Sequence, residues 1–240
     1  MGFFMAKTHA LTHSTVVPAA EAENMHKTYE NTVLRDVQLA YVFTKCYEES
    51  EKGASLKSDE AYMAEVQFLK SAYRGEQAEN RALCHGDLHP GSWMVNDTTG
   101  EAKVIDPEFC VYGPPGLDVG SLLSGMVLAG IYHKYSKTDG AVELISQRIL
   151  QIWESYTTTM KGNGISDESI TRIGEDAVGF ACCEVARTAL GFAGDRVWLK
   201  FEDPAVADAA EQTALSVAKN AMLGRKGPGV AIFATELGGL

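Results

Sequence analysis

Positive charge is in short supply in this chain: 21 lysines and arginines stand against 32 aspartates and glutamates, for a net charge of −11. That balance argues against a protein that grips nucleic acid or an anionic membrane through its general field, so any phosphate ligand must be held locally. Cysteine is scarce as well. The five residues Cys46, Cys84, Cys110, Cys182 and Cys183 are odd in number and form no C-x-x-C pair, so neither a disulfide framework nor a zinc knuckle is expected, and a reducing cytoplasm is the simplest home. The longest apolar run, roughly 119–131, is interrupted by Ser and Gly and is too short to span a bilayer. The opening "MGFFMAKTHAL" makes a poor signal-peptide core before Lys7. Internal repeats and low-complexity blocks are missing too. A soluble cytoplasmic protein is therefore the expectation.

What is present is ordinary globular material: 240 residues, 45% hydrophobic and 22% charged, enough for one large domain or two small ones. Ser58 is placed to cap a helix in which Tyr62, Val66, Leu69 and Tyr73 form one apolar stripe, ending near Arg74-Gly75. "SWMVN" and "AKVID" are short β-like runs joined by the polar turn Asp97-Thr98-Thr99-Gly100, which predicts a hairpin. Beyond "YGPPG" the pattern turns helical, first from about Asp118 to Tyr135. A second helix runs from Thr138, with Ile145, Ile149, Ile152 and Tyr156 on one face. After the break "KGNGIS" a third covers about Ser166 to Ala193, and Asp203-Pro204 offers an N-cap with proline at the first helical position for a fourth, to about Leu223. The expected fold class is mainly α with a small β-hairpin (α+β), residues 1–223 forming the domain and 224–240 a flexible tail.

The chemistry concentrates in 84–109. Asp87 lies between His85 and His89, a set that includes metal-ligand types. On an extended segment, alternation would send both histidines to one face and Asp87 to the other, so a metal trio is disfavoured. The preferred reading is a loop in which Gly86 permits an unusual backbone and Asp87 projects into a cleft as a base or orienting carboxylate. Asp106 closes the run "KVID" and Glu108 follows two residues later, so the pair offers hard oxygen donors on one face, suited to Mg²⁺ beside phosphate oxygens. The bland alternative is that Asp106 caps the turn and Glu108 is solvated. A carboxylate on one loop, a hairpin, then a metal-binding Asp is the order that kinase-type phosphoryl transfer uses.

Here "HGDLHPGS" followed by "VIDPEFCVYGPPGLDVG" resembles the C-terminal lobe of the methylthioribose kinases, a family in the aminoglycoside-phosphotransferase-like branch of the protein-kinase-like fold. Ser92, where most relatives in that branch carry Asn, and Glu108 after Pro107 are the marks that separate this family from generic aminoglycoside or choline kinases. "YENTVLRDVQLAYVFTKCYEE" resembles the stretch that leads into the catalytic lobe. "CCEVARTALGFAG" resembles a later helix carrying two adjacent arginines, of which Arg187 is the first, while Thr188 stands at the second. The resemblance implies a catalytic loop at 84–93 and a metal loop at 104–109, with Asp87 catalytic, Asp106 and Glu108 on Mg²⁺, and His89 and Ser92 near ATP and its phosphates. It further implies that Arg187 binds substrate alongside Asp87. Gly86, Asp118 and Glu184 would be structural supports, Asp118 accepting hydrogen bonds from the catalytic-loop backbone, where the plain alternative is an N-cap of the helix it begins, and Glu184 orienting Arg187 at i, i+3. The implied reaction is transfer of the γ-phosphoryl of ATP to the 1-hydroxyl of S-methyl-5-thioribose in methionine salvage.

The family fold also has a preceding β-rich lobe with a Gly-rich loop and a phosphate-binding lysine, and these 240 residues contain no G-x-G-x-x-G. Positioning groups around a transferring phosphoryl are worth about 10²- to 10³-fold each, so an isolated second lobe is expected to turn over poorly unless self-association or a partner completes it. Two other readings stay open. One is a truncated, non-catalytic kinase-like chain that binds a partner or a sugar; the other is another small-molecule kinase of the aminoglycoside or choline type. Vicinal Cys182-Cys183 reads as helix packing. His9, His13, His26 and His133 have no partner that the sequence identifies.

Overall fold

The computed structural model describes residues 1–76, 80–194 and 198–240. Short helices come first: α1 (Gly2–Thr12), α2 (Ala19–Thr28) and α3 (Thr32–Ala40), which passes through a π-turn at Tyr41–Lys45 into α4 (Cys46–Glu48), followed by α5 (Ala54–Lys57) and α6 (Glu60–Tyr73). Four three-residue strands occupy the middle: β1 (Ala82–Cys84), β2 (Trp93–Val95), β3 (Ala102–Val104) and β4 (Val111–Gly113). The long helices α7 (Gly116–Tyr135), α8 (Ala141–Gly162), α9 (Asp167–Ala189) and α10 (Pro204–Gly224), with the short α11 (Ala231–Gly238), complete the chain. Among the described residues no helix is long and apolar enough to cross a membrane.

The core forms where apolar stripes face one another. Tyr62, Val66, Leu69 and Tyr73 of α6 are all buried, against α9 and α10. Helices α7 and α9 lie so close that a Cβ on Gly120 would sit 2.6 Å from the Ala177 carbonyl oxygen, so only glycine fits that crossing without displacing backbone. Helix α1 packs on α8 and β1, and its end is tied to the strands: the Leu83 N–H donates to Thr12 Oγ1 (2.9 Å) and the Tyr112 hydroxyl donates to the Thr12 carbonyl (3.0 Å).

Two antiparallel ladders hold the middle segment. β2 pairs with β3, Trp93 opposite Val104, as the hairpin pattern predicts; β1 pairs with β4, Cys84 opposite Val111, which the pattern of these short runs does not announce. Boundaries move for local reasons. The cap of α6 is Asp59, whose carboxylate accepts the Tyr62 N–H, and not Ser58. Helix α8 starts after Gly140, in a left-handed conformation, instead of at Thr138, and α9 ends at Ala189, with left-handed Gly191 just beyond. Ser166 and Asp203 cap α9 and α10 as expected.

The expectation of a flexible tail over 224–240 is corrected. Arg225, 2% exposed, forms an ion pair with Glu65 (2.6 Å), and Lys226 joins the same carboxylate (2.9 Å). Val230, Phe233 and Leu237 are buried, and α11 packs on α8 and α10. Burying one such side chain contributes roughly 1.5–3 kcal/mol, which outweighs the glycines of "GRKGPGV" that suggested fraying.

Candidate active site

The two ladders aim two loops at one end of the domain. β1 feeds the loop 85–92, the β2–β3 hairpin follows, the loop 105–110 comes next, and β4 returns beside β1. The loops touch. His85 Nε2–H donates to the Ile105 carbonyl (2.8 Å), the residue before Asp106. Gly86 has φ +89°, and a Cβ there would lie 2.0 Å from the Phe109 carbonyl oxygen, so both conformation and close approach require glycine.

The loop 85–92 is braced from every side. Asp118, 3% exposed, accepts the His85 N–H on Oδ2 and the Gly86 N–H on Oδ1, each at 2.8 Å. Asp118 lies inside the first turn of α7, which begins at Gly116, so its carboxylate caps the loop and not its own helix. The Ser92 hydroxyl donates to the Asp87 carbonyl (2.9 Å), and the Gln38 amide donates to the Gly86 carbonyl (2.8 Å) while Tyr73 donates to Gln38 Oε1. Ser92, expected near the phosphates, is buried at 2% exposure with its hydroxyl committed to this brace. The Gly91 N–H donates to His89 Nδ1 (3.0 Å), which leaves the ring hydrogen on Nε2, 3.8 Å from Asp87 Oδ2. His89 therefore turns toward Asp87; the alternation expected of an extended segment fails because 85–89 is not extended, Gly86 being left-handed at φ +89° and the His89 N–H donating to the Asp87 carbonyl (3.0 Å).

Arg187 joins the same neighbourhood from α9. Its Nε–H donates to Glu184 Oε2 (2.8 Å), the i, i+3 pair. Burial works against its charge, but the Glu184 carboxylate and, after it, Asp87 outweigh that cost and hold its pKa above the ordinary value. Asp87 and Glu184 line one small cavity with Gln38, Phe43, Ser121 and Phe180. Thr188 donates its hydroxyl to the Glu184 carbonyl (2.8 Å) along its own helix.

The loop 105–110 is arranged differently. Asp106 has φ +60°, a left-handed conformation costing a non-glycine residue of order 1 kcal/mol, and Asn31, also left-handed at φ +46°, donates its side-chain amide to the carbonyls of Glu108 (2.8 Å) and Cys110 (3.1 Å). The backbone is fixed while the acids stay open: Asp106 and Glu108 are exposed, and among the described residues neither carboxylate takes a hydrogen bond or ion pair. Asp106 does not cap the turn that follows it. Two unpaired hard-oxygen groups on a held backbone fit a hard divalent cation.

His9 belongs to the site's foundation, with its Nε2 3.2 Å from Asp118 Oδ2. His9, Cys84 and Asp118 are a buried trio of metal-ligating types. Burial pushes the Cys84 thiol well up, its sulfur donates toward the carbonyls of Ala82, Gly113 and Pro114, and both Asp118 oxygens already take N–H donors, so the trio is a hydrogen-bonded support. His9, Asn31 and Gln38 escape sequence reading because their partners lie far along the chain. His13 also finds partners, Thr15 (2.8 Å) and Asn80 (3.4 Å), and His133 meets Thr138 (3.1 Å).

Comparison with known proteins places the chain in a family. The family profile described as "Phosphotransferase enzyme family" matches residues 5–143, more than half of the chain. The sequence is 29% identical to a methylthioribose kinase of Exiguobacterium sibiricum over 219 residues, covering 80% of this chain and 53% of that protein. It is 30% identical to one of Bacillus mycoides, with the same two coverages, and 27% identical to methylthioribose kinase 1 of Oryza sativa subsp. japonica, covering 94% and 61%. The chain spans little more than half the length of these curated relatives.

Proposed function

Because the chain belongs to the phosphotransferase enzyme family, we propose that it serves ATP-dependent phosphorylation of a small sugar, the γ-phosphoryl passing to the 1-hydroxyl of S-methyl-5-thioribose. The observation that carries this reading is the joining of the loops of Asp87 and Asp106 through His85 and Gly86, one loop braced and the other with open carboxylates. Asp87 orients the acceptor hydroxyl and takes its proton as the hydroxyl oxygen bonds to the γ-phosphorus and the bond to the bridging oxygen of ADP breaks. His89 Nε2–H faces Asp87 Oδ2 and steadies the carboxylate. Asp106 and Glu108 would hold Mg²⁺, which when bound neutralises charge on the phosphate oxygens. Arg187, oriented by Glu184, meets charge on the sugar and the transferred phosphoryl, a task for which its paired, permanently charged guanidinium is suited.

The names of the relatives support methylthioribose as acceptor, and the acidic surface supports a small ligand over nucleic acid. An assay of ADP release with Mg²⁺-ATP and methylthioribose tests the reading. Turnover that disappears in Asp87→Ala is expected; equal rates in the two proteins would remove the catalytic role.

A further inference from the structure

Asp118 receives a third donor from a helix that precedes it by more than a hundred residues. His9 of α1 is 0% exposed, with Nε2 3.2 Å from Asp118 Oδ2 and Nδ1 2.9 Å from the Tyr156 hydroxyl of α8. The Tyr156 ring stands edge-on to the imidazole, centroids 5.8 Å apart. Chemistry assigns the hydrogens. A carboxylate only accepts, so His9 Nε2 carries the hydrogen toward Asp118; burial pushes the Tyr156 phenol well above its ordinary range, so it keeps its proton and donates to Nδ1. A line of donors runs from α8 through α1 to Asp118, and Asp118 in turn accepts the N–H groups of His85 and Gly86.

Packing alone does not require these polar atoms. An apolar side chain would fill the same space, and a buried imidazole is costly unless both nitrogens are engaged, as they are here. Helix α1 is also fastened to the strand that enters the loop, through Thr12 and Leu83.

We propose that His9 is a positioning residue of the phosphotransfer site: through Asp118 it fixes the His85–Gly86 backbone and so the aim of Asp87, with Tyr156 locking the imidazole. Three variants of the full chain test this. His9→Leu fills the space and removes both nitrogens, His9→Gln keeps an amide N–H that reaches the place of Nε2, and Tyr156→Phe keeps the ring and removes its donor. Amide exchange at His85 and Gly86, read by NMR, is expected to run about ten-fold faster in His9→Leu and to return toward the parent in His9→Gln, a size set by one hydrogen bond's worth. Under saturating substrates kcat is expected to fall about ten-fold in His9→Leu and to recover in His9→Gln, with both KM values within about two-fold of the parent.

The kinetic part rests on the phosphotransfer reading and the exchange part does not. A parent protein that neither turns over nor binds Mg²⁺-ATP would remove that reading and leave the exchange rates to decide this one. Parent-like exchange at His85 and Gly86 in folded His9→Leu overturns the proposal, as does His9→Gln behaving like His9→Leu. Should the leucine variant not fold, Tyr156→Phe decides: faster exchange at the two amides supports the linkage, and unchanged exchange overturns it.

Discussion

Residues 85–92 and 105–110 adjoin one another, yet they are held in opposite ways. In the first, side chains and backbone are both committed: Asp118, Ser92, Gln38 and His89 each take or give a hydrogen bond within or onto the loop. In the second only the backbone is fixed, by Asn31, while Asp106 and Glu108 point their charges at solvent. A group that must meet a reacting hydroxyl gains from being set in advance, because misplacement by about 1 Å can cost about 100-fold. Groups that share a cation with a nucleotide need free oxygens, which the cation itself then orders.

The largest expected effect falls on the braced loop. Asp87→Ala lowers kcat by about 10³-fold or more in the ADP-release assay, with the melting temperature close to the parent's, since the side chain is partly exposed and the loop is held by other groups. Next comes Asp118→Asn, which turns a pure acceptor into a group with its own N–H donors beside the amides of His85 and Gly86. Stability measured by urea unfolding drops roughly 1–3 kcal/mol, and kcat drops about 100-fold. On the open loop the signature differs: Glu108→Gln shifts the Mg²⁺ concentration for half-maximal rate upward by about ten-fold and leaves unfolding unchanged, because an exposed, unpaired carboxylate contributes little to the fold.

A buried carboxylate outside both loops gives the reference case. Asp176 on α9 is 2% exposed with Oδ2 unpaired, and burial, only partly offset by Arg225 and Arg172, pushes its pKa up to about 7. The folded protein therefore holds a proton that the unfolded chain releases near its ordinary value of 3.8, so this group lowers stability as pH rises from about 4 to about 7 and adds no further slope above that. Asp176→Asn is expected to raise the melting temperature at pH 8 and to converge with the parent toward pH 4, with kcat altered by less than about two-fold. A parent and variant that keep the same difference at both pH values would show that burial is not what governs this carboxyl.

The sequence discloses the parts of the molecule whose pattern is long or whose punctuation is strong. Helix α6, the β2–β3 hairpin, and the capped starts of α9 and α10 follow from apolar spacing, a polar turn and Ser166 or Asp203. Strands β1 and β4 are three residues each, too short to show a period, and they exist because each satisfies the other's backbone. Helix α11 hides behind glycines that reading by local propensity takes for a frayed end; burial of Phe233 reverses the outcome. Of the residues proposed to act, Asp87, Asp106, Glu108 and Arg187 stand out as candidates in the sequence because they lie in compact motifs. His9, Asn31 and Gln38 are not, because nothing near them in the chain announces partners 109, 77 and 48 residues away.

On the proposed function, the two loops serve one ligand. Adding Mn²⁺-ATP to the isotopically labelled chain and recording paramagnetic broadening of its amides tests this directly. Signals of 85–92 and 105–109 are expected to broaden together, and Asp106→Asn to abolish both effects. Broadening confined to one loop, or spread without preference over the acidic surface, would contradict it.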